Sequence, residues 1–114
     1  MTKHALHFFW MLLLAAALLA ASAQNASAAN AVVGNGSPAS CTEAAFNAAL
    51  ATASNGGGTI TFNCGSAVKT IDFTTSKVVN LGNVTIDGNS RIVLKAGNAE
   101  RHFFVGPVTF RLRN

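Results

Sequence analysis

The stretch "GGGTITFNCG", Gly56–Gly65, decides how the rest of the chain is read. A glycine run leads into alternating β-branched and aromatic residues, which is strand chemistry with a period of two. Nearly the same strand is written twice more. Gly58-Thr-Ile-Thr-Phe62 aligns with Gly82-Asn-Val-Thr-Ile86 and Gly106-Pro-Val-Thr-Phe110, and the step from Gly58 to Gly82 equals the step from Gly82 to Gly106. In that alignment Ile60, Val84 and Val108 share a face with Phe62, Ile86 and Phe110, and Thr61, Thr85 and Thr109 point the other way. Stacking in register predicts an apolar interior column with a threonine ladder outside it. The ladder at Thr61, Thr85 and Thr109 is the one extended polar surface the pattern offers, and its hydroxyls could meet those of a sugar. β-Propensity alone is also sufficient to place threonine there.

Further strands are expected between the copies at Lys69–Phe73 ("KTIDF"), Arg91–Leu94 ("RIVL") and His102–Val105 ("HFFV"). A unit of this size cannot bury its apolar face alone, so the even spacing predicts a stacked solenoid, of which about three turns are needed for stability. The third turn has barely begun at Asn114. The reading is therefore the N-terminal piece of a longer protein, or a truncated reading frame.

The N-terminus has a separate purpose. Lys3 precedes an unbroken apolar run, Phe8–Ala21, and Ala21-Ser22-Ala23 supplies small residues for cleavage, so residues 1–23 read as a secretory signal peptide. The run falls short of the roughly 20 residues that cross a bilayer, and no transmembrane segment is expected in the mature chain. Ala26-Ser27-Ala28 offers a second cleavage site. Residues 24–38 read as a flexible leader and 39–114 as a cap helix with the first solenoid turns. Without the signal peptide and its Lys3, seven Lys/Arg face four Asp/Glu, a net charge of +3, too weak to argue for nucleic acid. Arg101, Arg111 and Arg113 near Phe103, Phe104 and Phe110 read more simply as solvated arginines alternating with core aromatics.

Export bears on the two cysteines, because an oxidising compartment favours a bridge. A disulfide between Cys41 and Cys64 is expected; the rival, a zinc site, needs further ligands, and His102 is the one histidine beyond the signal peptide. Ser40-Cys41-Thr42-Glu43 matches a capping box in which Ser40 caps and Glu43 reaches back to the Ser40 amide. From Cys41 to about Ala53, Phe46, Leu50 and Ala53 give one narrow apolar stripe, and Asn55-Gly56 supplies a left-handed stop.

"ASCTEAAFNAAL", "GGGTITFNCG", "NVTIDGN" and "VTFRLRN" together resemble the opening of secreted bacterial proteins of the pectate-lyase-like superfamily, across roughly Val32–Asn114. The resemblance implies an all-β fold, a right-handed parallel β-helix of two to three rungs with a short N-terminal capping α-helix (the pectin lyase fold). It implies secretion and extracellular polysaccharide or the cell surface as partner. Lyases that look like this hold calcium on stacked aspartates and use an arginine base, from middle rungs beyond this chain, so no catalytic, cofactor or metal residue is carried over.

The local candidates are few. Asp87 stands one repeat beyond Asn63, but one carboxylate and one amide make a poor calcium site, and Asp87-Gly88-Asn89 reads as a turn. Asp72 is expected to be solvated on a strand, Glu100-Arg101 to be a loop pair, and His102 lacks a partnered nucleophile or carboxylate nearby in sequence. Asn25-Ala-Ser27, Asn35-Gly-Ser37 and Asn83-Val-Thr85 match the glycosylation pattern, which matters only in a glycosylating host. Two functions follow as expectations. The first is a noncatalytic extracellular or cell-surface protein of structural, adhesive or carbohydrate-binding type. The second is the N-terminal fragment of a polysaccharide lyase or hydrolase acting on acidic polysaccharide, with calcium only if a downstream site exists.

Overall fold

A computed structural model of the chain describes residues 27–97 and 101–114. The signal-peptide reading of residues 1–23 lies outside the described residues, as do Asn25 and Glu100. Among the described residues, one α-helix and eight short strands follow in chain order: β1 (Ala31–Val33), α1 (Glu43–Ser54), β2 (Gly58–Phe62), β3 (Lys69–Phe73), β4 (Lys77–Val79), β5 (Val84–Asp87), β6 (Ile92–Ala96), β7 (Phe103–Val105) and β8 (Phe110–Arg113). Within the expected leader, residues 31–33 are not loose chain: β1 pairs with β2, and Val33 is fully buried. A three-residue strand preceded by small polar residues gives too short an alternation to read.

All ladders are parallel and join strands distant in sequence. They form a four-stranded sheet in the order β1-β2-β5-β8 and two separate two-stranded sheets, β3-β6 and β4-β7. The expected right-handed parallel β-helix with a uniform rung is thereby corrected. The sheets are small and separate, no continuous solenoid sheet runs through the described residues, and the interval between paired strands is not constant. It is widest where Ala31 pairs with Ile60, narrowest where Lys69 pairs with Ile92, and intermediate where Gly58 pairs with Val84, Lys77 with Phe103 and Val84 with Phe110. The cause is the connections, which differ from one strand pair to the next; α1, for example, is inserted between β1 and β2. The even alignment in the sequence matches glycines and threonines, with Ile60 opposite Val84, whereas the ladder sets Ile60 opposite Ile86, two residues further on.

The core lies between α1 and the inner faces of the sheets. Phe46, Ala49, Leu50 and Ala53 of α1 are buried together with Val33, Ile60, Ile71, Phe73, Val79, Val84 and Ile86. Ala49 widens the expected stripe of Phe46, Leu50 and Ala53. Phe46 is fully buried, with ring centroids 4.9 Å from Phe73 and 6.3 Å from Phe62. Phe103 continues the aromatic chain to Phe110 at 4.8 Å. Burying such rings contributes both apolar area and ring-on-ring contacts, so the aromatic chain ties helix to sheet.

The helix starts later than the capping box requires. Thr42 is the N-cap, its Oγ1 accepting from the Ala45 amide at 3.2 Å. Ser40 instead lies in a short 3-10 turn, Pro38–Ser40, where its Oγ accepts from the Asn35 amide at 2.9 Å and donates to the Ser37 carbonyl at 2.6 Å. Asn55 does not supply the left-handed stop; Gly56 does, with φ of 120°. Gly34, at φ of 89°, passes so close to Cys41 Sγ and the Asn63 carbonyl that no Cβ fits there.

Candidate functional site

Each strand of the four-stranded sheet turns alternate residues into the core, which fixes what the opposite face displays. Ile60, Val84 and Ile86 face inward and are 0–2% exposed. The outward set is then Val32 on β1, Thr59 and Thr61 on β2, Thr85 and Asp87 on β5, and Arg111 and Arg113 on β8. Register brings these into rows across the strands. Thr59 pairs with Thr85 and Thr85 with Arg111; Thr61 pairs with Val32, and Asp87 with Arg113.

The threonine ladder is therefore displaced from its expected members. Thr85 keeps its place, Thr59 replaces Thr61 beside it, and Arg111 replaces Thr109. Thr109 precedes β8; its amide donates to Asn83 Oδ1 at 2.8 Å, and its carbonyl accepts from the Val84 amide at 3.0 Å. Asn30 repeats the device one ladder earlier, its Oδ1 accepting from the Thr59 amide at 2.9 Å. Two asparagine side chains thus stand in for strand backbone and pin the ladder's alignment. Asn83, the asparagine of a glycosylation pattern, has its side-chain oxygen occupied in this way.

A second cluster joins helix to strand. Glu43, in the first turn of α1, accepts from Thr74 through the amide at 2.9 Å and the hydroxyl at 2.8 Å, and forms an ion pair with Lys77. Lys77 is 4% exposed and its ammonium lies 4.7 Å from the centre of the Phe73 ring. Hydrogen bonds from Lys77 and Thr74 hold the Glu43 carboxyl down at about 2, against an ordinary value of 4.5. The expected reach from Glu43 back to Ser40 is replaced by this clamp between segments far apart in sequence. A partial signal is present in the sequence: Lys77 shares the inward face of β4 with Val79, an unusual place for an unpaired lysine.

Cys41 and Cys64 form a disulfide with Cα atoms 5.7 Å apart, joining the residue before the helix cap to the chain just past β2. The remaining candidates are modest. Asp87 Oδ1 accepts from the Asn89 amide at 3.1 Å, and Asn89 and Ser90 both have positive φ, so the turn reading of Asp87-Gly88-Asn89 holds. Asp72 is exposed, 3.7 Å from Lys95 across the β3-β6 ladder. His102 Nε2 accepts from the Ala96 amide at 2.9 Å, which ties the end of β6 to the start of β7.

Among the described residues no three His, Cys, Asp or Glu side chains gather closely enough to hold a metal ion. Among them, too, no helix is long and apolar enough to cross a membrane. The arrangement offers a preformed polar surface of hydroxyls and guanidinium groups on a packed backing. No family model, curated protein or solved structure matches this chain.

Proposed function

We propose that this is a noncatalytic extracellular or cell-surface protein of structural, adhesive or carbohydrate-binding type, working through the outward face of the β1-β2-β5-β8 sheet. The observation that carries the reading is the polar row Thr59–Thr85–Arg111, with Asp87 and Arg113 paired beside it. Hydroxyl and guanidinium groups at strand spacing suit a polymer with repeated hydroxyl or carboxylate groups, and the packed core behind the sheet keeps them ordered before binding. The Cys41–Cys64 disulfide is compatible with an oxidising compartment, and the signal-peptide pattern of residues 1–23 points to export.

The experiment is affinity electrophoresis of the exported chain through gels containing neutral or acidic polysaccharides. Retardation is expected, and the triple change Thr59→Val, Thr61→Val and Thr85→Val is expected to weaken it about fivefold or more. That change keeps the β-branched shape and removes the hydroxyls, each of which contributes about 1 kcal/mol when hydrogen-bonded. Equal retardation of both proteins, or none of either, removes the sheet face as the binding surface.

A further inference from the structure

We propose that Asn55 is a site of spontaneous covalent modification, converting to aspartate and isoaspartate through a cyclic imide formed with Gly56. The step needs water and no other reactant. The main-chain nitrogen of Gly56 attacks Cγ of Asn55, a C–N bond forms, and the carboxamide nitrogen leaves as ammonia with the proton of the Gly56 amide. Water then opens the imide at either carbonyl, giving aspartate, or isoaspartate in which the main chain runs through Cβ. A glycine after the asparagine favours this chemistry, because no side chain shields the attacking nitrogen and the backbone turns freely.

The dipeptide occurs at Asn35-Gly36 and again at Asn55-Gly56, and the fold treats the two differently. Both asparagines are exposed. Around Asn35 three hydrogen bonds oppose ring closure: the Gly36 amide donates to the Asn63 carbonyl at 2.7 Å, the Asn35 amide donates to Ser40 Oγ at 2.9 Å, and Asn35 Oδ1 accepts from Ser37 Oγ at 3.2 Å. The first of these reaches the residue before Cys64, so the attacking nitrogen is held by a cross-linked part of the fold. At Asn55 the corresponding bonds are local. The Asn55 amide donates to the Thr52 carbonyl at 3.2 Å and the Gly56 amide to the Ser54 carbonyl at 3.0 Å. Both lie at the last turn of α1, and helix ends open at little cost in free energy.

The modification falls on the joint between α1 and β2. Gly57 and Gly58 follow at once and run close against the main chain of Asn83 and Ala29. There the Ala29 amide donates to the Gly57 carbonyl at 2.8 Å and the Gly58 amide to the Asn83 carbonyl at 3.0 Å. Isoaspartate lengthens the main chain by one carbon immediately before these contacts and displaces them. Thr59 comes next, its amide held by Asn30 Oδ1 at 2.9 Å. Aspartate leaves the main chain unchanged and adds a carboxylate at the C-terminal end of the helix, where the dipole disfavours negative charge. The first product loosens the start of β2, and the second weakens the helix end.

The test is peptide mapping by mass spectrometry of the exported, oxidised chain held in mildly alkaline buffer, with heavy-oxygen water to mark each conversion. Asn55 is expected to convert about tenfold faster than Asn35, the factor that one ordinary hydrogen bond is worth. The two rates are expected to converge once the disulfide is reduced and the chain unfolded in urea. Asn55→Gln, at an exposed position and unable to close the five-membered ring, is expected to stop conversion there and to leave the fold intact. In the chain carrying isoaspartate, the Thr59 amide is expected to exchange faster than in the unconverted chain. Equal rates at the two asparagines of the folded chain, faster conversion at Asn35, or no conversion at Asn55 overturns the proposal, and unchanged exchange at Thr59 overturns its consequence for β2. Mass reads the conversion whatever the sheet face binds, so this proposal and the proposed function fail separately.

Discussion

Glu43 binds Thr74 and Lys77 from the first turn of α1, so a single carboxylate joins the helix to the β3–β4 connection. Its ionised form is favoured by three donors, and a carboxyl held at about 2 against 4.5 links folding to pH in a fixed direction. A group whose folded pKa is lowered contributes stability above its unfolded value, and that contribution is lost as pH falls through the folded value. The window here runs from about 4.5 down to about 2. Urea unfolding across this range is expected to show a falling midpoint, with Glu43→Gln giving a lower midpoint at neutral pH and a flatter profile in the window. If the two proteins fall in parallel, other carboxylates carry the acid sensitivity and the clamp has no energetic weight. At this scale the sequence shows that Glu43 has a structural partner but not which one. A capping box is local and can be read from four consecutive residues; Thr74 and Lys77 lie 31 and 34 residues away, and only tertiary packing brings them near.

The helix and the strands differ in how far local chemistry determines them. β3 is found where "KTIDF" alternates, because five residues with buried Ile71 and Phe73 make an unambiguous period of two. β1 and β4, with three residues each, offer a single alternation and cannot be told from loop by pattern. α1 owes its position to two separate fastenings, the Thr42 cap and the disulfide, and its face to Phe46. The bridge closes a separation of 23 residues, and in the chain-entropy model a loop of that length stabilises the fold by about 3 kcal/mol. Cys41→Ser with Cys64→Ser is therefore expected to lower unfolding stability by roughly that amount, while the far-ultraviolet strand signal at low temperature stays largely intact. Reduction of the native chain should give the same shift. A loss well under about 1 kcal/mol would mean that the Phe46 packing alone already fixes the helix, and that the bridge is incidental to the cap.

Strand facing is legible across the molecule, and register is not. The inward residues Ile60, Val84 and Ile86 follow from alternation, because a slip of two residues leaves every side chain on the same face. That same property hides the true pairing. An alignment that sets Ile60 opposite Val84 and a ladder that sets it opposite Ile86 predict identical burial, and they differ only in which outward residues are neighbours. The outward neighbours are what a ligand meets, so the displaced row alters the candidate surface while the core remains as expected. Cross-linking separates the two. Thr59 and Thr85 are direct partners, and adjacent strands lie about 4.8 Å apart, inside the range of Cα separations a disulfide spans. Thr61 stands two residues along from that position, about 8 Å from Thr85 by the same strand geometry, which is beyond reach. Thr59→Cys with Thr85→Cys is expected to oxidise to a second intramolecular bridge, found by mass mapping beside Cys41–Cys64, and Thr61→Cys with Thr85→Cys to keep two free thiols. The reverse pattern would restore the even alignment of the three copies, return Thr61 to the ladder, and move Arg111 out of the polar row on which the surface depends.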